Sequence, residues 1–148
     1  MERSAGFRSK KWRLFNFVKT KTIKQKVSFK VTSHEVYEAL MNSKKHAKFT
    51  GGKAKISGRV AGRFSVFNGY ASGKNLELVK DKKIVQTWRA SDWAEGQYST
   101  VTFNFLPAKN GCTLSFTQQD VPANQYESIK QGWKDFYWKP MKKMLEKS

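Results

Sequence analysis

The chain has 148 residues, 14% of them aromatic, which is enough for one domain with a real core; at this length about two thirds of the unfolded surface leaves water on folding. Its 29 Lys/Arg against 11 Asp/Glu give a net charge of +18, a field that steers toward nucleic acid, an anionic membrane or an acidic protein face. The single cysteine, Cys112, excludes an internal disulfide and a thiolate zinc site, and no apolar run approaches the roughly 18 residues that span a bilayer.

Residues 1–21 carry seven Lys/Arg against Glu2, with an apolar patch at Trp12, Leu14, Phe15, Phe17 and Val18. They read as a basic N-terminal arm whose patch docks on the domain. The apolar centre is too short for a secretion signal, although the basic, nearly acid-free start also fits a mitochondrial presequence. Residues 22–148 keep +12 of the charge and form the folded domain.

From Ile23 to Val31, apolar residues and Gln25 alternate with Lys24, Lys26, Ser28 and Lys30, which predicts a half-buried strand with one cationic face. Thr32 and Glu35 stand in capping-box spacing before Val36, Tyr37, Leu40 and Met41, which predicts a short helix. A second short helix is expected over 44–49, ending at Gly51 and Gly52. Strands are then predicted at 54–57, 63–68, 76–79, 84–89, 98–106 and 112–118, each at hairpin distance from the one before, so the sheet is antiparallel. Asn110 and Gly111 supply a tight turn between the last two. Within 98–106, Ser99, Val101, Phe103 and Phe105 share one face, and Thr100, Thr102 and Asn104 the other.

After Pro122 the period becomes helical. Tyr126, Ile129, Trp133, Phe136, Tyr137, Met141 and Met144 form one apolar stripe, and Pro140 is expected to kink the helix near its end. That stripe has one place to go, the concave face of the curved sheet. The expected fold is therefore α+β, a helix-grip arrangement with two short helices after the first strand. Phe103, Phe105, Trp133, Phe136, Tyr137 and Met141 are the candidate lining of any cavity between sheet and helix, although such bulky rings more often fill a core.

The segment from Lys83 to Pro107 holds Trp88 and Arg89 at a strand end and Trp93 in a polar turn before Gly96. Alternation puts Trp88 and Arg89 on opposite faces. Trp88 reads as core closure and Arg89 as a solvated or locally paired charge, or both as partner contacts, and Trp93 as loop packing or a binding anchor. Lys53, Lys55, Arg59, Lys80, Lys82 and Lys83 form one acidic-partner patch if their strands are neighbours. His34–Glu38 reads HEVYE, with Glu where a metalloprotease needs a second histidine, so a capped helix start explains it. His46, in KKHAK, is expected to face solvent, and Cys112 to be a small buried hydrophobe in a reducing compartment. GGKAKISG lacks P-loop spacing and no nucleophile elbow appears, so neither an enzyme, a metal nor a cofactor is expected.

Several of these residues carry a family resemblance. Ala61-Gly62-Arg63-Phe64 with Phe67, Gly69 and Gly73, then Glu77-Leu78, Ile84-Val85 and Trp88-Arg89, resemble the strands and turns of the activators of heat-shock protein 90 ATPase, within the START-like superfamily. Trp93, Gly96, Ser99-Thr100, Thr102, Val121-Pro122 and Gln131-Gly132-Trp133 fit the rest, so the resemblance covers about residues 23–145. It implies a helix-grip co-chaperone that binds an acidic surface of the chaperone and stimulates its ATPase by favouring the closed dimer. The Asn- and Trp-rich opening of an N-terminal activator domain is not found in residues 1–21, which implies a single-domain member. The expected setting is cytoplasmic and the expected state a monomer, with no specific nucleic acid partner and no membrane span. Charge-driven binding of nucleic acid or an anionic surface, and carriage of an apolar ligand, are the alternatives.

Overall fold

In the computed structural model, which describes residues 19–147, alternation yields seven strands: β1 (Thr20–Phe29), β2 (Lys55–Ile56), β3 (Arg63–Val66), β4 (Ala71–Val79), β5 (Lys83–Ala90), β6 (Ser99–Ala108) and β7 (Gly111–Pro122). Two short helices, α1 (Ser33–Met41) and α2 (Ser43–Thr50), follow β1. The closing helix consists of α3 (Tyr126–Trp133), a π-helical turn (Lys134–Trp138) and α4 (Lys139–Leu145). All strand pairs are antiparallel, in the order β1-β7-β6-β5-β4-β3-β2. This is the α+β helix-grip arrangement expected, a curved sheet wrapped on a long C-terminal helix. The expected arm falls largely outside the described residues, while Thr20 and Lys21 already belong to β1.

The inward face of β6 and β7 presents Val101, Phe103, Phe105, Leu114 and Phe116, all buried. They meet Ile129, Trp133, Tyr137 and Met141 of the closing helix in one core. The buried side chains of α1 and α2 join that core, so the helices share the sheet's concave face. Thr100, Thr102, Asn104, Thr113, Ser115 and Thr117 alternate with the core residues and lie on the other face. At α1 the capping box forms: the Thr32 hydroxyl accepts from the Glu35 amide (3.2 Å), and the Glu35 carboxylate accepts from the Thr32 amide (3.4 Å).

β4 begins five residues before the predicted 76–79 strand because Gly73 and Asn75 hide its alternation. A Cβ at Gly73 would stand 1.8 Å from the Thr87 carbonyl oxygen of β5, so only glycine allows the pairing. Asn75 is buried yet satisfied, donating to the Ser57 and Arg59 carbonyls at 2.8 and 2.9 Å. Gly111 is explained by close approach as well, since a Cβ there would lie 1.9 Å from the Phe29 carbonyl oxygen of β1. Lys109 and Asn110 form the two-residue loop between Ala108 and Gly111.

Two expectations are corrected in the helices. Just ahead of Pro140, where a kink is expected, lies a π turn in which the Lys139 amide bonds the Lys134 carbonyl five residues back. Proline supplies no amide of its own, and the wider turn accommodates the loss. The extra residue shifts the phase, so Trp138 is buried and Phe136 is 53% exposed. His46, expected in solvent, is 4% exposed, because α2 turns it inward beside Phe49 against the closing helix.

Candidate functional site

A groove of about 290 Å³ opens between the closing helix and the adjoining ends of β4 and β5. Its floor is Trp88, Ile129 and Trp133; Phe67, Tyr70 and Phe136 form its rim, and Gly132 leaves space on the helix side. Phe67 and Asn68 both have left-handed backbone, at φ 55° and 58°, a conformation uncommon for a bulky residue. The turn is held by Asn68, whose Oδ1 accepts from the Lys53 amide at 2.8 Å and whose own amide donates to the Lys53 carbonyl at 3.1 Å. So fixed, the Phe67 ring meets Phe136 edge-on at 5.5 Å and bridges the groove's two walls. Of the proposed cavity residues, Trp133, Phe136 and Tyr137 line this groove, Phe103 borders a small void behind it, and Phe105 and Met141 lie in the core. Asn68-Gly69 marks the turn in the sequence, but nothing there shows that Phe67 and Tyr70 face the helix.

Beneath the groove, Trp88 (5% exposed) and Trp93 (6% exposed) pack edge to face at 5.4 Å. Trp93 therefore folds under its loop and does not stand out of it. Arg89 secures that loop: its guanidinium donates to the carbonyls of Trp93 and Ala94 and lies 6.0 Å from the Tyr98 ring. Trp133 is fixed by a buried relay in which its indole donates to Gln118 (2.7 Å), Gln118 donates to Ser99 (2.9 Å) and Ser99 donates to the Trp88 carbonyl (2.8 Å). Each polar atom in that chain has a partner, so it orders the floor.

His46 and Tyr137 border a small inner void behind the groove. Nδ1 of His46 donates to the Leu40 carbonyl (3.1 Å), which leaves Nε2 to accept from the Tyr137 hydroxyl (2.8 Å). Burial pushes the His46 pKa down to about 4 against the lifting effect of the Leu40 bond, and burial pushes the Tyr137 pKa up. The pair is thus neutral at pH 7.

Of the six cations proposed as one patch, Lys53 and Lys55 border one depression and the other four lie elsewhere. Lys80 and Lys82 flank Asp81 in the β4–β5 turn, where Asp81 contacts His34 at 2.9 Å. Lys83 pairs with Glu77 at 3.3 Å. Arg59 lies beside the middle of β4, where its carbonyl holds Asn75. Lys53 is tied through its backbone to the β3–β4 turn, and Lys55 lies in β2 opposite Ser65.

Comparison with known proteins gives a consistent result. A family model described as activator of Hsp90 ATPase homolog 1-like protein matches residues 30–146. An uncharacterised Schizosaccharomyces pombe protein is 33% identical over 94% of this chain and 41% of its own length. The activator of 90 kDa heat shock protein ATPase homolog of Dictyostelium discoideum is 33% identical over 78% of this chain and 30% of its own. An HSP90 activator from Plasmodium falciparum, a solved structure, superposes with a TM-score of 0.79 at 29% identity, covering 84% of this chain and 96% of that one. The chain accordingly spans well under half the length of the two full-length relatives.

Proposed function

Because the chain belongs to the activator of Hsp90 ATPase homolog 1-like family, we propose that it is a co-chaperone that binds heat-shock protein 90 and stimulates its ATPase. The observation that carries this reading is the family match across residues 30–146. A protein with 29 basic and 11 acidic side chains is suited to an acidic face of the chaperone. Its part is binding: contacts made better in the chaperone's closed dimer than in its open form shift that equilibrium, tenfold for each 1.4 kcal/mol or so of difference. In this reading it works in the cytoplasm, as a monomer and without a cofactor. Among the described residues, no helix is long and apolar enough to cross a membrane.

The test is ATP turnover by heat-shock protein 90 with increasing amounts of this protein, subtracting the rate left by an inhibitor of the chaperone. Saturable stimulation that weakens as salt is raised is the expected result. Unchanged turnover, together with no capture of the chaperone by the folded protein, would overturn the proposal.

The groove favours a second reading, uptake of an apolar molecule between the closing helix and β4–β5, because its lining is almost wholly hydrocarbon and aromatic.

A further inference from the structure

The face of the sheet opposite the helices has an open depression of about 600 Å³ across β2 to β5. Three cations project into it: Lys55 from β2, Arg63 from β3 and Lys74 from β4. No carboxylate belongs to the lining, and none of the three is in an ion pair among the described residues. Glu77, also on β4, is engaged by Lys83. Arg63 and Lys74 are also direct register partners in the β3–β4 pair. Like charges directly opposite one another on neighbouring strands are destabilising, so the free protein carries a repulsion that a bound anion would relieve. Thr87 adds a hydroxyl whose oxygen already accepts from the Lys74 amide at 2.9 Å, leaving its O–H to donate outward. Tyr98, 49% exposed, closes one end.

We propose that this depression is the seat for an acidic segment of a protein partner, with Lys55, Arg63 and Lys74 receiving its carboxylates. In identifying that partner with the chaperone it rests on the function proposed above; as an anion-binding site it does not. Charge complementarity selects the occupant. The guanidinium of Arg89 already lies over the Tyr98 ring, so one face of the exposed ring that lines this depression is taken, which disfavours stacking of nucleic acid bases there. Lys55 and Ser65 also border a neighbouring depression that includes Lys44 and Lys53, which extends the positive field for a longer acidic segment.

The probe is fluorescein-labelled deca-glutamate, with oligothymidylate of equal charge as the comparison, titrated into the full chain labelled for amide NMR. Shifts centred on Ser65, Ser72, Lys74 and Thr87 are expected. Reversing Lys55, Arg63 and Lys74 to Glu should weaken deca-glutamate by on the order of tenfold or more. The charge-matched reversal of Lys45, Lys48 and Lys143, on exposed helical positions, should weaken it far less. Lys74→Thr alone should raise the melting temperature while lowering affinity, a pairing that simple loss of fold cannot produce. Equal losses in the two triple variants, or shifts spread over all lysines, would overturn the site, and tighter binding of oligothymidylate at the same amides would overturn its occupant. With the chaperone, stimulation by the wild type that survives the Lys55/Arg63/Lys74 reversal would overturn the link between site and partner. Site-centred deca-glutamate binding without any stimulation would support the site and count against the co-chaperone reading.

Discussion

Burial of His46 couples the stability of the fold to pH. Its imidazole is neutral when folded, with a pKa near 4 against 6.5 when free, so the unfolded chain binds the proton more readily. The stabilisation is complete above about pH 6.5 and is lost as pH falls toward 4, amounting to about 3 kcal/mol at most. Denaturant unfolding between those pH values should show wild type losing more stability than His46→Gln by roughly that amount; parallel losses would mean the ring is not titrating from a buried state. The sequence, KKHAK, pointed outward because four neighbours of His46 are charged or small. Only the docking of α2 on Tyr137 places that ring inside. Trp93 misleads for a related reason, since Asp92 and Glu95 beside it describe the loop's surface and not the underside where the indole meets Trp88.

Among the elements, the closing helix departs most from its sequence pattern. Counting threes and fours from Tyr126 includes Phe136 and omits Trp138, since a uniform α-helix is assumed. The π turn adds a residue to the turn and delivers Trp138 to the core instead. There its indole donates to Gln25 at 2.6 Å, while Gln25 donates onward to the Lys130 carbonyl, and its ring stacks on Trp133 at 5.5 Å. Trp138→Ala should therefore cost about 3–5 kcal/mol, with Gln25 left short of a partner. Phe136→Ala should cost about 1 kcal/mol, mostly its contact with Phe67. The reverse order in chemical denaturation would mean that the helix is α throughout. The capping box of α1 and the alternation of β5 to β7 were, by contrast, legible residue by residue, because caps and strand faces are set by local backbone geometry.

For the whole molecule, the groove exists only where the β3–β4 turn, the end of β5 and the closing helix come together. If it takes an apolar guest, dodecanoate at a hundredfold excess over its dissociation constant should stabilise the protein by about 2.7 kcal/mol. Gly132→Leu, which adds a side chain where a Cβ would meet only the Phe136 ring, at 3.8 Å, should remove that gain while the protein stays folded. An unchanged gain in the variant would place the guest elsewhere. The succession of seven strands along the chain, the two helices after β1 and the closing helix could be anticipated from periodicity, hairpin spacing and the family's motifs, since hydrophobic alternation and turn residues act over a few neighbours, whereas the pairing of β1 with β7 could not. Which surfaces are free to act could not. Trp88 and Trp93 are conspicuous in the sequence but buried, and Arg89 is engaged by its own loop, whereas nothing joins Arg63 to Lys74 until strand register sets them side by side. Most of the elements and the sign of the field were legible from the residues alone, because both depend on local pattern and composition. The tertiary structure decided which rings are covered and which cations converge, because burial and register depend on residues far apart in the chain.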